Sequence, residues 1–245
     1  KNSGKIIFKF YPSEDQLKIA FKLGEVDEIR GLIDPAPFHT WPKVKLEKKV
    51  DRGKLVGIFL NTEKPLLSDK TFRQSLAYAI NKDSLSQERA ISPISINSWA
   101  YNPQVKPYNY DPQKAKNGIK DNPEITLLAS PALIATAEKV AEDWKQIGIK
   151  TTVQFPSTIP DDYQALLVIF DIPEDPDQYS IWHSTQKATN ITKYANPRID
   201  KLLEDGRIET NLEERRKIYL DFQRFLLEDS PAIFLYYPTT YTIKR

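Results

Sequence analysis

A strand, a helix and a second strand follow one another between Ile125 and Phe155, and that order narrows the fold more than any other feature of the chain. Ile125 to Ala129 is an apolar run of strand length. Ser130-Pro131 supplies an N-cap and a first helical turn, since a serine hydroxyl satisfies an orphan amide and proline has its φ preset. Val140, Trp144 and Ile147 recur at helical spacing, Gly148 ends the helix, and Ile149, Thr151, Val153 and Phe155 alternate as a strand. Two strands joined by a crossover helix lie parallel, with a right-handed crossover. The chain is therefore read as α/β.

Ala165 to Phe170 adds a neighbouring strand, and the segment after it, Asp171-Ile172-Pro173-Glu174-Asp175-Pro176-Asp177-Gln178-Tyr179-Ser180-Ile181-Trp182-His183, sets several carboxylates and large aromatics side by side. Pro173 and Pro176 cannot donate ladder hydrogen bonds, so the strand stops there. In open α/β sheets ligands sit beyond the carboxyl ends of strands, which places Asp171 at the mouth.

Elsewhere, Ile6 to Tyr11 reads as a short β-rich run. Ser13-x-x-Gln16 starts a helix carrying Leu17, Ala20 and Phe21, which Gly24 stops. Lys43–Val50 and Lys54–Leu60 read as strands, and a helix with Phe72, Leu76 and Ile80 on one face begins near Asp69. Ile91 to Pro112 holds Pro93, Pro103, Pro107 and Pro112 among aromatics, the pattern of an ordered loop wrapping the surface. Ile199, Leu202 and Leu203 mark a short helix. Asn211-x-x-Glu214 starts a longer one with Ile218, Phe222, Phe225 and Leu226, Ser230-Pro231 ends it, and Ala232–Tyr237 is a final strand.

Composition excludes several chemistries. With no Cys there are no disulfides, thiolate zinc sites or cysteine nucleophiles. No stretch approaches the roughly 20 apolar residues that span a bilayer. With no Met, initiator included, the chain is expected to be a processed or trimmed fragment of a longer protein. His183-Ser184 beside Asp171 and Asp175 is no triad: adjacent residues in an extended chain point apart, and no Gly-x-Ser-x-Gly elbow is present. Glu174, Asp175, Asp177 and His183 match no zinc or EF-hand spacing, so no metal and no cofactor are assigned. The lysines from Lys43 to Lys54 are broken by Glu47 and Asp51 with no aromatic between them, which reads as a solvated strand edge rather than a nucleic-acid surface.

Several segments resemble one family in order and spacing. Leu23-Gly24-Glu25-Val26-Asp27 looks like a helix-ending Gly-Glu-Val-Asp. Asn61-Thr62 through Pro65, Asp69, Arg73-Gln74-Ser75-Leu76 and Tyr78-Ala79-Ile80 follow, then Asp175-Pro176-Asp177, Trp182, Asn190, Tyr194, Asn196-Pro197, Asp200, Leu202-Leu203, Glu214-Arg215, Tyr219 and Glu228-Asp229-Ser230-Pro231. Together they resemble the family 5 extracellular solute-binding proteins, the oligopeptide, dipeptide and nickel receptors of ABC importers.

The resemblance implies a periplasmic-binding-protein-like type II lobe, a mixed sheet flanked by helices, from a two-lobed clamp that closes on its ligand. Residues 1–55 would be a remnant of the first lobe or its hinge and residues 56–245 the second lobe, with the C-terminal return into the first lobe cut. It further implies a monomer outside the cytoplasm, periplasmic or at the cell surface, whose partners are a peptide or small solute and a membrane permease. Any lipoprotein tether would lie in other parts of the parent protein. Asp171, at a one-residue offset, is the counterpart of the aspartate that holds a peptide's α-amino group in relatives, or else it caps a turn. Phe170, Tyr179 and Trp182 would line a side-chain pocket or fill the core. Asn190 would hydrogen-bond a peptide backbone or serve its loop. Asp175 and Asp177 would reach ligand or stabilise the turn around Pro176, the latter being favoured. The alternative is an interaction module that docks on a permease or surface partner without capturing solute. Peptide, nickel and sugar receptors share the scaffold, so the fold does not choose the solute.

Overall fold

The computed structural model describes residues 5–85 and 87–245, and the described residues form two compact units, one of residues 5–50 with 239–245 and the other within 51–238. The smaller begins with α1 (Glu14–Leu23), capped by the Ser13 hydroxyl on the Gln16 amide at 3.3 Å and ended by Gly24 at φ 79°. The strands β1 (Glu28–Leu32) and β2 (Lys45–Val50) follow. The β-rich run expected over Ile6 to Tyr11 forms no strand: residues 5–11 pair with none, and Ile6, Ile7, Phe8 and Phe10 are all more than half exposed. Strand propensity expresses itself only against a neighbouring strand.

The larger unit runs through β3 (Lys54–Leu60), α2 (Pro65–Ser68), α3 (Lys70–Ala79), β4 (Glu88–Arg89), α4 (Pro112–Lys116), β5 (Glu124–Ala129), α5 (Ile134–Gln146), β6 (Lys150–Gln154), β7 (Ala165–Asp171), α6 (Tyr179–Trp182), α7 (Pro197–Ile208), α8 (Leu212–Asp229) and β8 (Ala232–Tyr237). The expected strand–helix–strand unit is present. β5 and β6 are parallel neighbours, and Val140, Trp144 and Ile147 of the intervening helical segment are buried. The Trp144 indole donates to the Leu76 carbonyl at 3.1 Å, which removes the cost of burying its N–H. The helix expected at Ile199–Leu203 is longer, starting at Pro197 with Asn196 as its cap.

The six strands lie in the order β4-β8-β3-β7-β5-β6, with β5, β6 and β7 mutually parallel and β3 antiparallel to both β7 and β8. The sheet is mixed, and the carboxyl ends of β5, β6, β7 and β8 share one edge with the start of β3. One face packs Val56, Ile58, Leu127 and Leu167 against Leu76, Val140 and Trp144. The other sets Phe59 and Phe234 against Trp182.

The chain then returns. β9 (Thr239–Lys244) pairs antiparallel with β1 on one side and β2 on the other, completing the smaller unit's three-stranded sheet over Phe21, Ile29, Leu32, Phe38 and Ile243. The two units therefore divide after residue 50 and again after residue 238, where the expectation drew one division at residue 55. The backbone hydrogen bonds of β1 and β2 need a strand between them, and residues 239–244 supply it.

Candidate functional site

β7 runs past its parallel neighbour. Ala129, the last residue of β5, pairs with Leu167, so among the described residues Val168 to Asp171 pair only with β3, with Lys54 directly opposite Asp171. Ile172 donates to the Gly53 carbonyl at 2.8 Å and carries the ladder one step further. The Asp171 carboxylate meets the Lys54 ammonium at 2.9 Å while 82% of its side chain stays exposed. Phe170, partly buried, packs its ring 5.5 Å from Phe59. Alternation along a strand sends Phe170 and Asp171 to opposite faces, so the two expected site residues are not brought together.

The turn beyond is held from within and from outside. Asp175 accepts the Asp177 amide at 2.9 Å and Asp177 accepts the Tyr179 amide at 3.0 Å, the local bonds expected of aspartates in turns. Arg215 of α8 forks the Asp175 carboxylate at 2.9 and 2.6 Å, and Arg207 of α7 reaches Asp177 at 3.1 Å. The Arg215 hydrogen bond holds the Asp175 carboxyl below its ordinary pKa, against the opposing effect of burial. The same guanidinium lies 5.6 Å from the Trp99 ring centre and 5.3 Å from that of Tyr219, and its Nε donates to the Gly206 carbonyl at 2.8 Å.

The remaining expected residues face inward. Trp182 is enclosed, stacked 6.0 Å from Phe59, with its indole N–H on Gln178 Oε1 at 2.8 Å. Asn190 is buried too: its amide donates to the carbonyls of Tyr194 and Trp182 at 2.8 and 3.3 Å, and its oxygen accepts from the Thr192 hydroxyl at 2.8 Å. Both thus hydrogen-bond within the loop itself. Tyr179, half-buried, stacks on His183 at 4.1 Å with the Arg207 guanidinium 4.5 Å above it. The Ser184 hydroxyl donates to Asp200 at 2.5 Å rather than to an imidazole, an arrangement unlike a nucleophile and its base. Among the described residues no group of His, Asp and Glu could hold a metal ion.

Sequence reasoning missed Lys54 as the partner of Asp171, and Arg207 and Arg215 as the clasps of the turn. Only the strand register and the helix packing join residues so distant in sequence. A groove of about 600 Å³ between α5 and β6, lined by Ala141, Glu142, Lys145, Gly148, Ile149, Lys150 and Thr151, contains none of the expected site residues.

The family profile of the bacterial extracellular solute-binding proteins, family 5 Middle, matches residues 1–190. The chain belongs to this family. Heme-binding protein A of Haemophilus influenzae is 29% identical over 237 residues, 83% of this chain and 42% of that protein. The oligopeptide-binding protein AppA of Bacillus subtilis is 30% identical over 226 residues, 76% of this chain and 42% of its own length. Among solved structures, NikZ of Campylobacter jejuni in complex with Ni(L-His) superposes with a TM-score of 0.84 at 24% identity, covering 94% of this chain and 54% of NikZ. AppA of Bacillus subtilis with a nonapeptide gives 0.82 at 24%, covering 96% and 54%. The fold is thus that of the type II periplasmic binding proteins, and the chain spans about half the length of these relatives.

The motif residues that mark this family-5 chain build its scaffold. Arg73 donates to the carbonyls of Leu67, Ser68, Asp229 and Ser230, and Gln74 to that of Glu228. Asp229 accepts from Tyr194 and from Asn196, at 2.5 and 2.8 Å. One arginine thereby satisfies orphan carbonyls at the ends of α2 and α8 together.

Proposed function

We propose that this chain is the solute-binding part of a receptor serving an ABC importer, and that it captures a peptide or similar small solute outside the cytoplasm and delivers it to a membrane permease. No bond is made or broken in this reading. The observation that carries it is Asp171: an exposed carboxylate at the carboxyl end of β7, on backbone fixed by β3. A carboxylate so placed makes a charge-assisted hydrogen bond to a solute's ammonium. The dipeptide-binding protein of Escherichia coli and AppA among the sequence relatives, and the Helicobacter pylori DppA structure with the peptide STSA, favour a peptide over other solutes. Residues 51–238 are the ligand-facing lobe in this reading. Asp175 and Asp177 hold the turn that presents it, and Trp182 and Asn190 support that turn from below.

The test is calorimetric titration of a receptor carrying this chain with the peptide identified by mass spectrometry of co-purified ligand. Asp171→Asn is expected to weaken a peptide with a free amino terminus by about tenfold or more. An unchanged affinity would remove Asp171 from the site, and recovery of cleaved peptide would replace the receptor reading with a hydrolase.

A further inference from the structure

The Asp171 carboxylate is already occupied. Its partner is the residue across the ladder, Lys54, and the two close at 2.9 Å. Backbone on both strands is fixed here, since Ile172 donates to Gly53 one step beyond the pair. The short aspartate side chain is therefore held in place, while the lysine's flexible four-carbon stem can leave and return. Lys54 keeps 37% of its side chain exposed and Asp171 82%, so the pair is a solvated one of small net worth. Among the described residues Lys54 is the only cation paired with Asp171.

From this geometry we infer that Lys54 is a resident counter-ion, which a solute's ammonium displaces from Asp171, and that it sets how strongly the site favours charged amino ends over neutral ones. The inference rests on the reading of Asp171 as the solute-facing carboxylate. A tethered ammonium competes at a high effective concentration, so a solute cation gains at Asp171 only by the margin over Lys54. A solute with a blocked, neutral end competes for nothing there and is indifferent to the lysine. Removing the lysine's charge frees the carboxylate and also removes a nearby positive charge, and both effects favour an incoming cation. Replacing it by arginine strengthens the competitor, because a guanidinium can fork a carboxylate where an ammonium binds as a point.

The experiment titrates trialanine and N-acetyl-trialanine into the ¹⁵N-labelled chain and follows the Asp171 and Ile172 amide shifts, in the native protein and in Lys54→Gln, Lys54→Arg and Asp171→Asn. The amide spectrum itself reports whether each variant is folded, and both substituted side chains are solvent-exposed at the ends of their strands. Lys54→Gln is expected to tighten trialanine binding about threefold, the scale of a solvated ion pair, and Lys54→Arg to weaken it, with N-acetyl-trialanine unmoved by either. If Asp171→Asn weakens trialanine but Lys54→Gln leaves it unchanged or weakens it, the counter-ion role is overturned while Asp171 keeps its place. If Asp171→Asn has no effect, or trialanine shifts neither amide in any of the folded proteins up to high millimolar concentration, both readings fall together.

Discussion

Arg215 of α8 lays both terminal guanidinium nitrogens on the Asp175 carboxylate, at 2.9 and 2.6 Å, and so ties the turn after β7 to a helix 40 residues further along the chain. The bond depresses the Asp175 pKa below its ordinary 3.8 in the folded state. A carboxyl with a depressed folded pKa contributes stability that is present above its unfolded pKa and fades as the pH falls through the folded one. With 56% of the Asp175 side chain exposed, solvent screening limits that contribution to about 1 kcal/mol at most. Asp175→Asn is therefore expected to lower stability to urea by up to about 1 kcal/mol at neutral pH, and to match the native protein once the pH is well below 3.8. A gap that persists in acid would assign the loss to the turn's backbone bonds instead.

Gly206 lies where α7 approaches α8, and a Cβ there would sit 2.8 Å from Tyr219 Cζ and 2.9 Å from its hydroxyl. Tyr219 is fully buried, so it has little room to yield. Overpacking of this kind costs about 1–3 kcal/mol, against roughly 1 kcal/mol that alanine gains over glycine within a helix. Gly206→Ala is expected to destabilise the chain in spite of its better helix propensity. A rise in denaturation midpoint would show that the helices part freely.

Much of this architecture was legible in the sequence because the signals were local. Ser13, Asp69 and Asn211 accept backbone amides at the starts of α1, α3 and α8, and each was visible as a short polar side chain before an apolar period. Strand direction was legible only for β5 and β6, through their crossover helix. Nothing in the apolar runs Lys54–Leu60 and Ala232–Tyr237 distinguishes antiparallel from parallel neighbours, so the mixed sheet came only from the family likeness. β9 escaped because Thr239-Thr240-Tyr241-Thr242 is a polar run whose strand character depends on pairing Lys244 with Lys45 across the chain. The same limit applies to the site. The position of Asp171 followed from the end of its own strand, whereas Lys54 and Arg215 become its neighbours and those of Asp175 only through register and helix packing.

Arg73 is 5% exposed and makes five hydrogen bonds of 2.6 to 3.2 Å to carbonyls of Leu67, Ser68, Asp229 and Ser230. Each buried acceptor left unpaired costs about 1–3 kcal/mol, so Arg73→Met is expected to lose about 3 kcal/mol or more. Arg73→Lys should recover only a minority of that, since one ammonium cannot reach both helix ends in the planar geometry of a guanidinium. Full recovery by lysine in urea denaturation would reduce Arg73 to a buried charge rather than a clasp.

Lys82 presents a different balance, a cation almost entirely enclosed, with its Nζ on the carbonyls of Ala77 at 2.5 Å and Tyr108 at 2.8 Å. Burial, helped by the nearby Arg89 charge, pushes its pKa down to about 7 from 10.5, while Asp143 and Asp83 oppose this. Between those two values the unfolded chain binds a proton that the folded chain does not, so stability rises with pH across the window. The slope contributed by one such group reaches about 1.4 kcal/mol per pH unit. The native protein is expected to gain stability to urea between about pH 7 and 9 relative to Lys82→Met, which cannot titrate. The comparison cancels the other ionising groups, among them the buried Tyr108 phenol, whose raised pKa acts in the opposite sense in stronger alkali. Parallel pH profiles for the two proteins would mean that the carbonyl cradle keeps the ammonium charged against its own desolvation.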